Sequence, residues 1–304
     1  MCDYKYSVII PHYNIPQLLM RCLGSIPVSE AIQVIVVDDC SPDGHTYKDK
    51  YPELSRPHLE FYQTPQGGSA GRARNLGLQH AKGKWVLFMD ADDLFVDGLC
   101  ELLDGHVEEG SDIVFFSHKS VMSDDLSQPA NRDFYQYLFK EYAETGSELN
   151  LRYDFYSLWG KVFSRDFIER NKIRCDETMY SNDVLFSFRA GHLADKIQVV
   201  DIPLYIVTQR SGSLASSQFT DKVMSLKECE DRLDVAIRVA RMTRKFNIPV
   251  KKELHLEHSW AMRLHYPGHY LLRLLRLLPT DPKMFMVFLR RDCKTVVRVL
   301  KRFV

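Results

Sequence analysis

Short apolar runs that each close on polar or acidic residues recur over residues 1–117. Residues 6–11, Tyr-Ser-Val-Ile-Ile-Pro, form a β-branched run stopped by proline, which predicts a buried strand. Residues 33–37 predict a second strand, 58–63 a third, 85–89 a short buried one and 112–117 another. Residues 17–26, 72–82 and 98–109 between them have helical spacing, the second stopped by Gly83. This alternation predicts an α/β fold with a parallel, doubly wound sheet. Residues 119–131 are polar and predict a mobile loop, 133–202 mix α and β signals, and 201–208 predict a further strand. Ser211-Gly212-Ser213 and Ser216-Ser217 suit a loop that orders over a ligand. Residues 221–246 read as a helix closed by Pro249, and the remainder as helical and basic.

The chemistry gathers where strands end. The run 85–89 is followed by three carboxylates within four residues, Asp90, Asp92 and Asp93. Such acids repel one another unless a cation sits among them, and oxygen ligands suit Mg²⁺ or Mn²⁺ shared with phosphates. This reads as a metal–diphosphate site beyond the carboxyl end of a strand. The alternative is a solvated acidic turn with Asp93 as an N-cap. The other strand ends are Pro11-His12-Tyr13-Asn14 and Asp38-Asp39. If the strands are neighbours, these ends build a nucleotide cleft. There Asp39 accepts the N3–H of a uracil, while Pro11 and Tyr13 line the base. Alternatively, Asp38 and Asp39 only cap the following turn. Arg72 and Arg74 either reach the nucleotide or pair with nearby acids.

Composition narrows the class. Hydrophobic content of 45% over 304 residues allows a sizeable core and one large domain or a domain with an appendage. Formal net charge is zero, which excludes nucleic-acid binding driven by the overall field. Seven scattered cysteines and the absence of a signal-type apolar start fit a reducing, cytoplasmic location. His255 and His258 lack a third ligand for a zinc site.

Four blocks carry a family resemblance: residues 7–14 (SVIIPHYN), 36–43 (VVDDCSPD), 73–78 (ARNLGL) and 89–93 (MDADD). In order and spacing, over roughly residues 5–215, the chain resembles the family 2 glycosyltransferases of GT-A fold. The departures are Cys40, where glycine is common, and one extra residue around Gly71. The resemblance implies a Rossmann-like, mostly parallel sheet flanked by helices, to which the helical pattern of residues 219–304 adds a C-terminal extension. Residues 1–218 would be the GT-A domain, with a nucleotide-sugar half at about 1–118 and an acceptor half at about 119–218. Residues 219–304 would be the helical, basic region. The resemblance further implies that Asp39 contacts uracil, that Asp90 sits near the ribose, and that Asp92, with Asp90 beside it, holds Mn²⁺ or Mg²⁺. The role of Asp93 in such enzymes is less settled. In Ser181-Asn182-Asp183-Val184-Leu185-Phe186, an asparagine replaces the first of a usual acidic pair, and Asp183 matches the general base of an inverting transfer. Its rival role is N-capping of the helix through Arg189. Trp159 and Lys161 match a segment that approaches the acceptor, or they belong to the core. Arg210 matches an arginine of a closing loop that meets the donor diphosphate.

The implied function is metal-dependent transfer of a hexose or N-acetylhexosamine from a UDP-sugar to a glycan acceptor, lipid-linked, in surface polysaccharide synthesis. Two alternatives stand beside it: a nucleotidyltransferase of similar fold, and a catalytically silent glycan-binding scaffold. From Arg263 to Arg302 ten lysines and arginines face two acids, interleaved with leucines and valines. A basic amphipathic tail of this kind suits peripheral contact with the inner face of an anionic membrane. A merely solvated basic face is the other possibility.

Overall fold

Strand β1 (Tyr6–His12) is buried along its whole length and lies between two parallel neighbours. It pairs with β2 (Ile32–Asp38) from Tyr6↔Ile32 to His12↔Asp38. Its other edge pairs with a later strand, from Tyr6↔Trp85 to Ile9↔Phe88. Pro11 lies two residues beyond Ile9, where that second pairing has ended, so its missing N–H removes no ladder bond.

The structure is a computed structural model that describes residues 4–132, 134–210, 224–249 and 258–290. The chain separates into two compact units, Met1–Thr220 and Asp221–Val304.

In the first unit, helices α1 (Pro16–Gly24) and α2 (Tyr47–Lys50) flank β2, and β3 (Leu59–Gln63) follows. Next come α3 (Ala70–His80), β4 (Trp85–Phe88), β5 (Leu94–Phe95), α4 (Leu99–His106) and β6 (Ile113–Met122). The remainder is α5 (Gln136–Thr145), α6 (Leu149–Asp154), β7 (Lys161–Ser164), α7 (Arg165–Arg170), α8 (Val184–Leu193) and β8 (Ile197–Gln209). They build one eight-stranded sheet in the order β3-β2-β1-β4-β7-β6-β8-β5. The β3-β2-β1-β4 half is parallel, as the alternation of elements predicts. Beyond it β7 runs antiparallel to both β4 and β6, and β5 antiparallel to β8, so the complete sheet is mixed. The polar stretch 119–131 is not wholly a loop. Strand β6 continues to Met122, paired with β8 up to Gln209, and Val121 bridges Pro129.

Helix α3 starts where Ser69 caps it by accepting the Arg72 N–H. It lies so close to β1 that a Cβ on Gly77 would come within 2.4 Å of Ile9 Cγ2. The start of the helix is equally tight, because a Cβ on Gly71 would sit 1.8 Å from the Asp176 carbonyl oxygen. Glycine at these positions lets the backbones approach.

The second unit contains α9 (Leu226–Lys245), α10 (His258–His265), α11 (Pro267–Thr280) and a helical stretch over 282–290. Ser225 caps α9 by accepting the Glu228 N–H. Cys229, Leu233, Met262, Tyr270, Leu274 and Phe288 belong to its own apolar core. The small-residue loop at 211–217, His255 and the amphipathic stretch at 291–304 lie outside the described residues.

Candidate active site

Because β1, β2 and β4 are parallel and adjacent, their carboxyl ends bring Pro11–Asn14, Asp38-Asp39 and Asp90–Asp93 to one edge of the sheet. Pro11 is buried in β1, while the Tyr13 ring is 57% exposed above the strand end.

Asp38 and Asp39 have different tasks. Asp38 is fully buried and accepts from His12 Nδ1 at 2.8 Å, Ser41 N–H at 2.9 Å and Ser41 Oγ at 2.5 Å. His12 Nε2 accepts the Ile15 N–H, so the ring proton sits on Nδ1 and is donated to Asp38. Burial opposes its charge, but the hydrogen bonds from His12 and Ser41 hold the Asp38 carboxyl below the usual carboxylate range. Asp38 is thus the turn cap that the sequence allowed. Asp39 accepts once on each oxygen, from Thr64 Oγ1 at 2.9 Å and from Gly68 N–H at 3.0 Å. Each carboxylate oxygen keeps capacity for a further donor. Cys40, the departure in this block, has φ of 60°, the left-handed conformation that explains a preference for glycine. Its Sγ donates to the Thr64 carbonyl at 3.0 Å.

Arg74 joins the two halves of the unit. It is 7% exposed and donates through Nη2 to Asp90 Oδ1 and through Nη1 to Asn182 Oδ1, each at 2.7 Å. The fork fixes the loop that carries Asp183 against the end of β4, although the partners lie more than a hundred residues apart. Asp183 occupies the N-cap position of α8, yet its side chain makes no capping hydrogen bond. The carboxylate is therefore not committed to the helix. Burial pushes its pKa up, Arg74 opposes this and the Asp90 charge adds to it.

Asp92 and Asp93 also part company. Asp93 is buried and does not cap a helix, since α4 has Gly98 at its N-cap. It accepts from Tyr205 Oη at 2.9 Å and from Thr208 N–H at 2.7 Å, which ties the acidic turn to β8. Burial, then the charges of Asp92 and Asp90, push its carboxyl well up. Half-buried Asp92 pairs through Oδ2 with Arg210 Nε at 3.0 Å. Asp90 and Asp92 thus keep Oδ2 and Oδ1, respectively, without a protein hydrogen bond among the described residues. No three His, Cys, Asp or Glu side chains cluster as a closed metal site among those residues. Two hard carboxylate oxygens at a strand end fit a Mg²⁺ or Mn²⁺ that takes its other ligands from water and diphosphate.

Trp159 and Lys161, read as an acceptor segment or as core, are both buried. Trp159 stacks on Tyr205, with ring centroids 5.3 Å apart and planes 4° from parallel. The Lys161 ammonium donates to the Phe155 carbonyl and to Ser187 Oγ. Burial pulls its pKa well down. Those two bonds tie β7 to the segments at Phe155 and Ser187. Arg72 pairs with Glu177 at 3.0 Å.

Three supporting residues escaped the sequence reading. Tyr205 Oη accepts the Asp90 N–H at 2.9 Å while donating to Asp93. Thr208 Oγ1 donates to the Asp92 carbonyl at 2.7 Å, and Arg21 Nη2 donates to the same carbonyl at 2.6 Å. Their only trace in the sequence is polar tips in otherwise apolar elements. Tyr205→Phe removes one hydroxyl with two buried partners, and is expected to cost about 1–3 kcal/mol. Thermal denaturation should read this as a lower Tm with an unchanged far-UV spectrum.

A family model described as Glycosyl transferase family 2 matches residues 7–172. The chain is 31% identical over 225 residues to the poly(ribitol-phosphate) beta-N-acetylglucosaminyltransferase TarS of Staphylococcus aureus (strain MW2), covering 71% of this chain and 37% of that protein. It is 24% identical over 307 residues to the poly(ribitol-phosphate) beta-glucosyltransferase of Bacillus spizizenii, covering 93% of this chain and 46% of that one. The chain therefore spans less than half the length of these curated relatives. The crystal structure of S. aureus TarS 1-349 in complex with UDP-GlcNAc shares the fold with a TM-score of 0.59 at 23% identity, over 91% of this chain and 76% of that one. The mannosyltransferase PcManGT of Pyrobaculum calidifontis, in complex with GDP-Man and Mn²⁺, aligns with a TM-score of 0.52 at 16% identity, over 97% of this chain and 81% of that one.

Proposed function

This chain belongs to glycosyl transferase family 2, and from that premise we propose that it is an inverting transferase using a UDP-sugar. It moves a hexose or N-acetylhexosamine to a hydroxyl of a glycan or polyol-phosphate acceptor in the making of a surface polymer. The observation that carries the reading is the Arg74 fork, which ties Asp90 to the segment bearing an uncommitted, half-buried Asp183. Asp39 takes the uracil N3–H, Tyr13 covers the base and Asp90 lies toward the ribose. Arg210 turns from Asp92 to the diphosphate. A Mn²⁺ or Mg²⁺ held by Asp92, with Asp90 beside it, supplies a Lewis acid for the departing diphosphate when bound. Asp183 takes the acceptor hydroxyl proton as that oxygen attacks the anomeric carbon from the face opposite the nucleotide. The new C–O bond forms as the bond to the β-phosphate oxygen breaks, so the anomeric configuration inverts. TarS, crystallised with UDP-GlcNAc, and the poly(ribitol-phosphate) transferases named above support this donor and acceptor class.

The test is a panel of UDP-, GDP- and CDP-sugars, scored by thermal shift and by nucleotide release, with Mn²⁺ and with chelator. UDP-sugars should stabilise the protein and turn over only with the cation. Equal response to all three nucleotides, or none to any, removes the proposal.

The state of Asp183 makes a pH prediction. A base works when deprotonated, and burial raises its pKa, so activity falls as pH drops through that raised value. The acid limb of kcat/KM should then lie above the ordinary carboxylate range of about 4. Asn182→Asp places a second negative charge beside Asp183 and should move the limb to still higher pH. An acid limb that ignores this substitution would assign it to another group.

A further inference from the structure

Helix α11 carries two apolar stripes, and among the described residues the second unit's core uses one of them. Tyr270, Leu274 and Leu277 are buried in that core. Leu271, Leu275 and Leu278, spaced to share one helix face, are 56, 51 and 46% exposed. At ~100° per residue this second stripe lies about a quarter-turn from the buried one. Leu272 widens it, at 55% exposed. Four leucines in solvent on one helix make a contiguous apolar patch of the kind that marks an interaction surface.

The charges beside this face identify its partner. Arg276, Lys283 and Arg290 are exposed and have no carboxylate partner among the described residues. The nearby acids are already taken: Asp281 by Arg241 and Arg244, and Asp234 by Arg273. Just past the end of α11, Arg244, Lys283 and Arg290 line a hollow of about 470 Å³ whose other walls are Pro282, Met286 and Val287. A lining of three cations and three apolar side chains suits a phosphate headgroup with the start of its acyl chain. The sequence beyond Arg290 adds five more cations against Asp292 alone. Among the described residues no helix is long and apolar enough to cross a membrane.

We propose that the leucine face of α11 and the adjoining cationic hollow dock the second unit onto an anionic lipid bilayer. The helix lies in the interface plane with its leucines among the acyl chains and its cations on the headgroup phosphates. This surface is independent of the sugar-transfer reading and needs neither donor nor metal.

The test is co-sedimentation of the full chain with vesicles of phosphatidylcholine alone and with 30% phosphatidylglycerol, at low and high salt. Tenfold or more tighter binding to the anionic vesicles, weakened by salt, is expected. Leu271→Gln/Leu275→Gln/Leu278→Gln changes only exposed positions and should lower that binding tenfold or more. Lys283→Glu/Arg290→Glu, at a separate exposed site, should lower it by a similar factor and flatten its salt dependence. Both variants should keep the wild-type Tm, and nucleotide-sugar turnover in the absence of lipid is a separate readout. Failure of the wild type to bind anionic vesicles overturns the proposal, as does binding that both variants retain. So does light scattering that shows a concentration-dependent oligomer lost in the glutamine variant without vesicle binding, which would give the leucine face to a second copy.

Discussion

Asp183→Asn is expected to lower the transfer rate by about 10³-fold while leaving UDP-sugar binding within twofold. The two side chains have nearly the same shape, so the α3–α8 junction held by Arg74 and Asn182 stays in place. Helix α8 should not weaken, because Asp183 makes no side-chain capping bond to lose. What disappears is the carboxylate proposed to receive the acceptor proton. The check is a pair of measurements on the same preparation: initial rate against acceptor concentration, and nucleotide-sugar titration by calorimetry. A fall in kcat with the donor Kd unmoved is the signature of a lost base. A matching loss of donor affinity would instead give Asp183 a part in holding the nucleotide. If the rate survived, the acceptor proton would leave by another route, and the case for single-base inversion would fail.

Much of this edge could be read from local pattern. Apolar runs stopped by proline or by acids announced β1, β2 and β4, and parallel neighbours put their ends together. The sequence could not say which acid of each pair is tied up by the fold. Asp38 and Asp39 are adjacent and chemically alike. They differ because His12 and Ser41 close around one while a threonine and a backbone N–H meet the other. Asp92 and Asp93 divide in the same way, through Tyr205 and Thr208, more than a hundred residues downstream. Arg21 is similar: it lies on α1 and bonds carbonyls of Asp92 and Ser123. No periodicity encodes partners at such separations. Lys161 was open in the same way, between an acceptor segment and the core, because only the sheet order shows that β7 lies inside the sheet, where its side chain finds a carbonyl, a hydroxyl and aromatic faces. The antiparallel insertion of β7 was hidden for the same reason, since a four-residue strand reads alike in either direction.

Asp92→Asn should lower turnover by roughly 10³-fold, the equivalent of about 4 kcal/mol of charge stabilisation on the leaving diphosphate. Its more direct readout is binding. In the wild type, Mn²⁺ with UDP should raise Tm well beyond either alone, because the cation completes its shell on the nucleotide's phosphates. In Asp92→Asn that synergy should vanish while the unliganded Tm changes little, since among the described residues the half-buried carboxylate pairs only with Arg210, and a neutral amide can still accept that bond. Arg210→Ala separates the two roles argued for the pair. Removing the guanidinium frees Asp92 of its protein partner, so the response to Mn²⁺ alone should hold or increase. The response to Mn²⁺ with UDP should shrink, because the diphosphate has lost a bidentate donor. Opposite signs for the two ligands follow only if Arg210 exchanges Asp92 for phosphate as the donor enters. A variant that weakened both responses equally would leave the 3.0 Å pair as a structural tie between the β4 turn and the end of β8.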